Sequence, residues 1–469
     1  MDVPLRWPTE FKINAYTGEE ASPSRPSSSA EDWILSSGPP RVRTFLAPSR
    51  LANPADWRDP RVGWGLLLPY NSKLSAQDSA AAKDAPDPIQ DLLASRSEGG
   101  RPAAVFRYIP GARYVGYLHR DGLDIPISMA GSGVAPGAIP RYMLIYATPE
   151  QIPWQVQYNL NAVCAVGRLT LTGGALANYI QALLSDWKNL SADYKSAVIW
   201  AVDFGPSDIT NLMRLSIAEK IHAKLKSDSD LGPNTVYLNG SANEGATAAA
   251  LCAVLKKQRP GLIVTTSHGQ TGPLDNLETM TADLGLLVDQ NRTLVRPSAL
   301  LTAWKPGGAI WYAHACCSAG SDSQTLFDGL TQKDSLVDLV LRGVAKVGAR
   351  IAPLPEALLG ASEPLRAFVG HVEPTFDWTL QQQLTGQFQT TAIEEAFYDK
   401  LYQPQPLGLA LRDFYGRLGG IYAEYDTHLR AFTGGADRKS QMLYDLLLAR
   451  DVQSMVVLGD PTAMLPPLN

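Results

Sequence analysis

From residue 104 onward the chain alternates short apolar runs with longer amphipathic ones, and few architectures accept that rhythm. The runs AVFRYI (104–109), YMLIYA (142–147), CAVGRLTL (164–171), SAVIWAV (196–202), TVYLN (235–239), GLIVTT (261–266) and AIWYAH (309–314) read as strands. Between them, 175–189, 211–226, 246–258 and 335–348 read as helices. In the first of these, Leu176, Tyr179, Ile180, Leu183 and Leu184 share one face. Strands that are apolar along their whole length are buried on both sides. The expectation is an α/β fold: a mostly parallel sheet flanked by helices on both faces. Residues 391–450 read as three helices, and MVVLGDP (455–461) as a last strand and turn.

The first hundred residues break the rhythm. Residues 1–50 are rich in Ser, Pro and Arg and read as an irregular arm. Residues 74–103 read as a polar surface loop with one short helix. A length of 469 residues suggests two or three packed units. A net charge of −5 argues against a nucleic-acid partner. No run approaches the eighteen apolar residues of a membrane span, and MDVPLRWPTE lacks the basic start and apolar run of a secretory leader. Four cysteines are too few for a disulfide framework, so a reducing cytoplasm is the expected setting. Cys164 and Cys252 lie in apolar runs and read as core thiols.

Two strand ends carry chemistry. One apolar strand runs into Ser267-His268-Gly269, another into Ala315-Cys316-Cys317-Ser318-Ala319-Gly320. In open α/β sheets the carboxyl ends of strands form the ligand crevice. A thiol is a weak nucleophile until a neighbouring imidazole takes its proton, and the same imidazole can then protonate a leaving amine. The N–H groups of Gly269 and Cys316 are candidate oxyanion donors, and the bare Gly269 would let substrate approach closely. Alone, a His-Gly is usually a turn and a buried Cys usually core. Together they stand 48 residues apart (316 − 268), near the roughly fifty of the caspase signature.

These two blocks resemble the histidine and cysteine motifs of the caspase–hemoglobinase clan (clan CD), and the chain is most similar to its gingipain-like peptidases, family C25. Residues 142–168, ending in Val-Gly-Arg, resemble that family's junction between α/β subdomains. AFVGHVEPTFDW (367–378) resembles its strand and pocket-lining loop, and SMVVLGDPTAMLP (454–466) its closing Leu-Gly-Asp-Pro. The resemblance implies two consecutive α/β subdomains: 101–160, with part of the N-terminal region, and a catalytic 161–469 that includes the C-terminal helices. It implies a cysteine endopeptidase acting through a thioester, with His268 and Cys316 as the dyad. The shorter Cys-Ser-Ala-Gly pattern resembles separase and leaves Cys317 as the alternative; Cys317 otherwise reads as a packing residue, pointing away if the strand continues.

For the substrate pocket, the family places an acid where this chain has Asn159 and Asn161, which weakens any expectation of a basic P1 residue. Glu373, Phe376, Asp377 and Trp378 are the other pocket candidates. His314 reads as structural, and His371 as a residue that lines the crevice. Adjacent cysteines lack zinc-ligand spacing, so neither a metal nor a cofactor is expected. Neither a G-x-S-x-G elbow nor a Walker A motif occurs. The expected partner is a protein or peptide substrate, with an activating ligand or protein if the enzyme is a regulated effector. A peptidase-like scaffold without activity, binding a protein partner, is the alternative from another class.

Overall fold

The apolar runs assemble into one sheet of twelve strands. The computed structural model describes residues 51–98, 103–111, 115–188, 190–241, 245–403 and 405–468, within a compact unit that begins at Ala52. The strands are β1 (Trp64–Pro69), β2 (Ala104–Tyr108), β3 (Tyr117–Arg120), β4 (Leu123–Pro126), β5 (Tyr142–Tyr146) and β6 (Ala165–Leu169). There follow β7 (Asp193–Ala201), β8 (Thr235–Asn239), β9 (Pro260–Thr266), β10 (Ile310–His314), β11 (Ala367–His371) and β12 (Met455–Gly459). Across the sheet the order is β8-β7-β9-β10-β11-β12-β6-β5-β1-β2-β3-β4.

Eight of the eleven neighbouring pairs are parallel, and three are antiparallel. One reversal, between β11 and β12, joins the two halves of the sheet. Strands β7 to β11 therefore send their carboxyl ends to one edge, while β1, β2, β5 and β6 send theirs to the other. The expected strand ends of His268 and Cys316 fall on the same edge because β9 and β10 are parallel neighbours.

Alternation along each strand feeds two cores. Trp311 and Ala313 of β10 pack on one face with Trp200 and Phe368. Ile310 and Tyr312 pack on the other with Leu262, Val264 and Val369. Each fully buried side chain of this size stabilises the fold by roughly 1.5–3 kcal/mol, so the strands that carry the crevice residues form a stiff platform.

The strands expected from residue 104 onward all form, with ends moved by a few residues. The first hundred residues differ from their reading as arm and loop. WGLLLP becomes β1, hydrogen-bonded between β2 and β5, while the short helix expected within 74–103 forms as Asp87–Arg96, burying Ile89 and Leu92, after a further short helix at Ala76–Ala80. Six residues between Pro-rich and polar clusters are too short to declare a period, and only pairing on both sides makes them a strand. Residues 1–50 lie outside the described residues. No helix among the described residues is long and apolar enough to cross a membrane.

Candidate active site

The histidine is placed by the end of β9 and held by an acid from the next strand. Thr266 pairs with His314 across β9 and β10, so His268 and Cys316 each lie two residues beyond the same rung. His268 Nε2 stands 3.0 Å from Asp208 Oδ2. Its ring also stacks on Phe204, with centroids 5.8 Å apart and planes 15° from parallel. Both partners come from the loop after β7. Asp208 caps the helix Ile209–Met213, accepting from the Thr210 N–H at 2.9 Å and from its hydroxyl at 2.6 Å. The Thr210 hydroxyl in turn accepts from the Phe204 N–H at 3.0 Å. Burial alone would raise the Asp208 carboxyl, but the hydrogen bonds from Thr210 and His268 outweigh it and hold it below the usual carboxylate range. At neutral pH a carboxylate faces the imidazole.

The cysteine is placed by a sharp bend after β10. Cys316 is half-buried and Cys317 fully buried. Cys317 takes a left-handed φ of 54°, so the strand does not continue through it. Its side chain packs with Met280, Leu284 and Val344. The expectation of a packing residue is met through a turn rather than through strand alternation. The bend is clamped by close backbone contacts. A Cβ on Gly269 would lie 1.9 Å from the Cys316 carbonyl oxygen, and one on Gly285 would lie 2.0 Å from that of Cys317. Gly269 thus needs to be glycine because the cysteine loop itself presses on it, whatever room a substrate also requires. Among the described residues the Gly269 N–H donates to no main-chain acceptor, and the Cys316 N–H is turned toward its own sulfur.

Sγ of Cys316 accepts a hydrogen bond from the Thr375 N–H at 3.4 Å and lies 3.9 Å from the Thr375 hydroxyl. Burial nevertheless pushes the thiol above its ordinary range, against the opposing pull of the Thr375 contacts. Beneath it lies a buried polar floor. The rings of His314 and His371 meet edge to face, 4.8 Å apart. His314 Nδ1 bonds the Tyr312 hydroxyl at 2.9 Å, and His371 Nδ1 bonds the Ser454 hydroxyl at 3.2 Å. Burial pushes His314 down to about 4 and His371 well below the ordinary imidazole range. Both are neutral at pH 7, so the floor supplies no positive charge to the thiol. His371, expected to line the crevice, is instead buried, packed on His314 and bonded to Ser454.

The pocket candidates scatter. Glu373 is buried, and its carboxylate accepts from the Leu326 N–H and the Thr325 hydroxyl, both at 3.0 Å. Burial pushes this carboxyl up to about 7. The Glu373 carbonyl accepts from the Cys317 N–H at 3.2 Å, which ties the two loops together. Phe376 packs edge-on against Phe327, Trp378 against Tyr444, and Asp377 accepts from Gln383. These residues follow β11 on the crevice edge. Asn159 instead donates to the Val115 carbonyl at 3.1 Å, and Asn161 lines a small cavity with Arg141 and Cys164. Trp154, on the same helix, is the residue that reaches the cysteine loop, donating to the Ser321 carbonyl at 2.9 Å.

Asp208 was absent from the sequence reading. Its signal was an N-cap acid before an apolar helix, in the loop after an expected strand of the same sheet. Ordinary capping accounts for that pattern, and only the sheet order brings it to His268. Among the described residues no group of three or more His, Cys, Asp or Glu side chains is placed to hold a metal ion.

No protein-family profile matches the chain, and no curated protein is detectably similar to it in sequence. Two crystal structures of the Saccharomyces cerevisiae separase–securin complex superpose on it. In one, at 3.0 Å, the identity is 13% and the TM-score 0.36, over 68% of this chain and 15% of that one. In the other, at 2.6 Å, the identity is 10% and the TM-score 0.37, over 74% and 16%. The chain thus spans about a sixth of the length of the structures it is superposed on. Superposition at this level carries no inference about chemistry.

Proposed function

We propose that the chain is a cysteine endopeptidase of the caspase–hemoglobinase clan, with Cys316 as nucleophile, His268 as general base and acid, and Asp208 as the residue that orients His268. The observation that carries this reading is the shared rung: a thiol and a carboxylate-held imidazole leave adjacent parallel strands two residues past paired positions.

With the Nε2 proton directed at Asp208, Nδ1 is the basic nitrogen. The thiol is protonated at rest, because burial raises it and the floor histidines are neutral. The proton therefore leaves Sγ as the sulfur attacks the scissile carbonyl, passing to Nδ1 while the S–C bond forms. The negative charge moves to the carbonyl oxygen, toward the N–H groups of Gly269 and Cys316. Collapse breaks the C–N bond, and the imidazolium gives its proton to the amine. Water, deprotonated by His268, then cleaves the thioester and restores the thiol.

The finer assignment, to the gingipain-like family, rests on the ordered sequence blocks from 142 to 466. Basic P1 specificity is not part of the proposal, since Asn159 bonds the Val115 carbonyl and Asn161 is buried beside a small cavity with Arg141 and Cys164. The test is a peptide-library digest with parent, Cys316→Ala and His268→Ala proteins. The expected result is cleavage by the parent that both substitutions abolish. Equal product from all three would exclude the dyad, and no cleavage by the parent together with tight capture of a protein would favour the inactive scaffold.

A further inference from the structure

The mechanism above leaves unexplained what keeps the Cys316 thiol usable at all. Its surroundings work against ionisation through burial and the nearby Asp451 carboxyl. The largest interactions that favour a charged sulfur come from Thr375, with a smaller one from the main-chain N–H of Cys316 itself. A donor aimed at sulfur bonds a thiolate more strongly than a thiol, so it stabilises the state that attacks.

The turn that carries Thr375 is fixed at both ends. On one side the Val372 N–H donates to the Ser454 carbonyl at 2.9 Å, and the Glu373 carbonyl receives the Cys317 N–H. On the other, Asp451 Oδ2 accepts from the Phe376 N–H at 3.3 Å and from the Thr379 hydroxyl. Asp451 and Ser454 lie at the end of the helix Lys439–Ser454, both buried. Leaving a buried carboxyl there is costly unless it is hydrogen-bonded. Its bonds are spent on this turn, and Oδ1 has no partner among the described residues.

We infer that the Thr375 main-chain N–H is a catalytic group, the donor that stabilises the Cys316 thiolate, and that Asp451 and Thr379 are positioning residues that hold the 375–379 turn against the sulfur. The inference rests on the assignment of Cys316 as the nucleophile. It predicts that removing this N–H makes the thiol less acidic without unfolding the protein.

Alkylation of Cys316 by iodoacetamide, followed by mass spectrometry across pH 6 to 11 on the full chain, reads thiol acidity with no need for peptidase activity. Thr375→Pro deletes the N–H. Its alkylation at pH 7 is expected to be about tenfold slower than the parent's, equivalent to roughly one pKa unit, with the two rates converging at high pH. Thr375→Ala keeps the N–H and loses only the distant hydroxyl, so its profile is expected to move less. Thr379→Val removes one anchor of the turn without changing charge, and about a threefold slowing at pH 7 is expected. Superimposed profiles for a folded Thr375→Pro overturn the inference. If that variant does not fold, a Thr379→Val profile identical to the parent's overturns it. Neither result bears on cleavage: a parent that digests peptides through Cys316 with unshifted profiles would keep the peptidase reading and lose this one.

Discussion

On the histidine side of the crevice, the imidazole is 38% exposed and its partner is an ionised carboxylate on a helix N-terminus. On the cysteine side, the two histidines are buried and neutral at pH 7, and the buried Asp451 and Glu373 carboxyls are both raised to about 7. The histidine has a carboxylate within hydrogen-bonding distance of its ring. The cysteine holds its proton until something takes it. This pair therefore does not rest as a thiolate–imidazolium pair. Deprotonation is coupled to attack, and the two sides are matched only when a substrate lies between them.

The comparison breaks most severely at the sulfur. Cys316→Ala is expected to lower kcat/KM by at least about a thousandfold, whereas Cys317→Ala is expected to cost about 1 kcal/mol of stability and leave kcat/KM within a few fold. Paired kinetics and thermal melts read both, and the reverse pattern would transfer the nucleophile to Cys317. Next comes Asp208→Ala, expected to lower kcat by about a hundredfold with KM nearly unchanged. A rise in KM alone would make Asp208 a binding residue. Gly269→Ala sharpens the geometry between the sides. Its Cβ would collide with the Cys316 carbonyl, so a fall of about tenfold in kcat/KM and a lower Tm are expected; parent-like activity would mean that the two loops are not clamped.

A separate effect concerns pH and stability. Burial raises the Asp451 carboxyl to about 7. A carboxyl raised in the folded state stabilises fully below its unfolded value, near 4, and that stability is lost as pH rises through 7. Asp451→Asn removes this titration. The parent is expected to lose on the order of 4 kcal/mol more than the variant between pH 4 and 8. Denaturant midpoints at several pH values measure it, and equal losses in both proteins would mean that Asp451 titrates normally.

Much of the sheet was legible because parallel strands buried on both faces must be apolar throughout, as GLIVTT and AIWYAH are. WGLLLP was not, since six residues flanked by turns carry no period and become β1 only between β2 and β5. Within the site, His268 and Cys316 could be singled out because each directly ends an apolar strand. Asp208 and Thr375 could not. Their residue types are ordinary for a helix cap and a turn, and the distances that give them meaning run over 60 and 59 residues of sequence. The pocket residues show the same limit: Trp154 and Asn159 share one helix, and only its packing decides which face meets the cysteine loop.

The sequence by itself determined the alternation of elements and the two strand-end motifs, because local periodicity and side-chain chemistry are written residue by residue. Tertiary structure alone decided that β9 and β10 are parallel neighbours. It also decided that an acid from the loop after β7 faces the imidazole and that the turn after β11 touches the sulfur. Those are choices of strand order and loop packing, made by the burial of the whole sheet between its two cores, and no short stretch of sequence carries them.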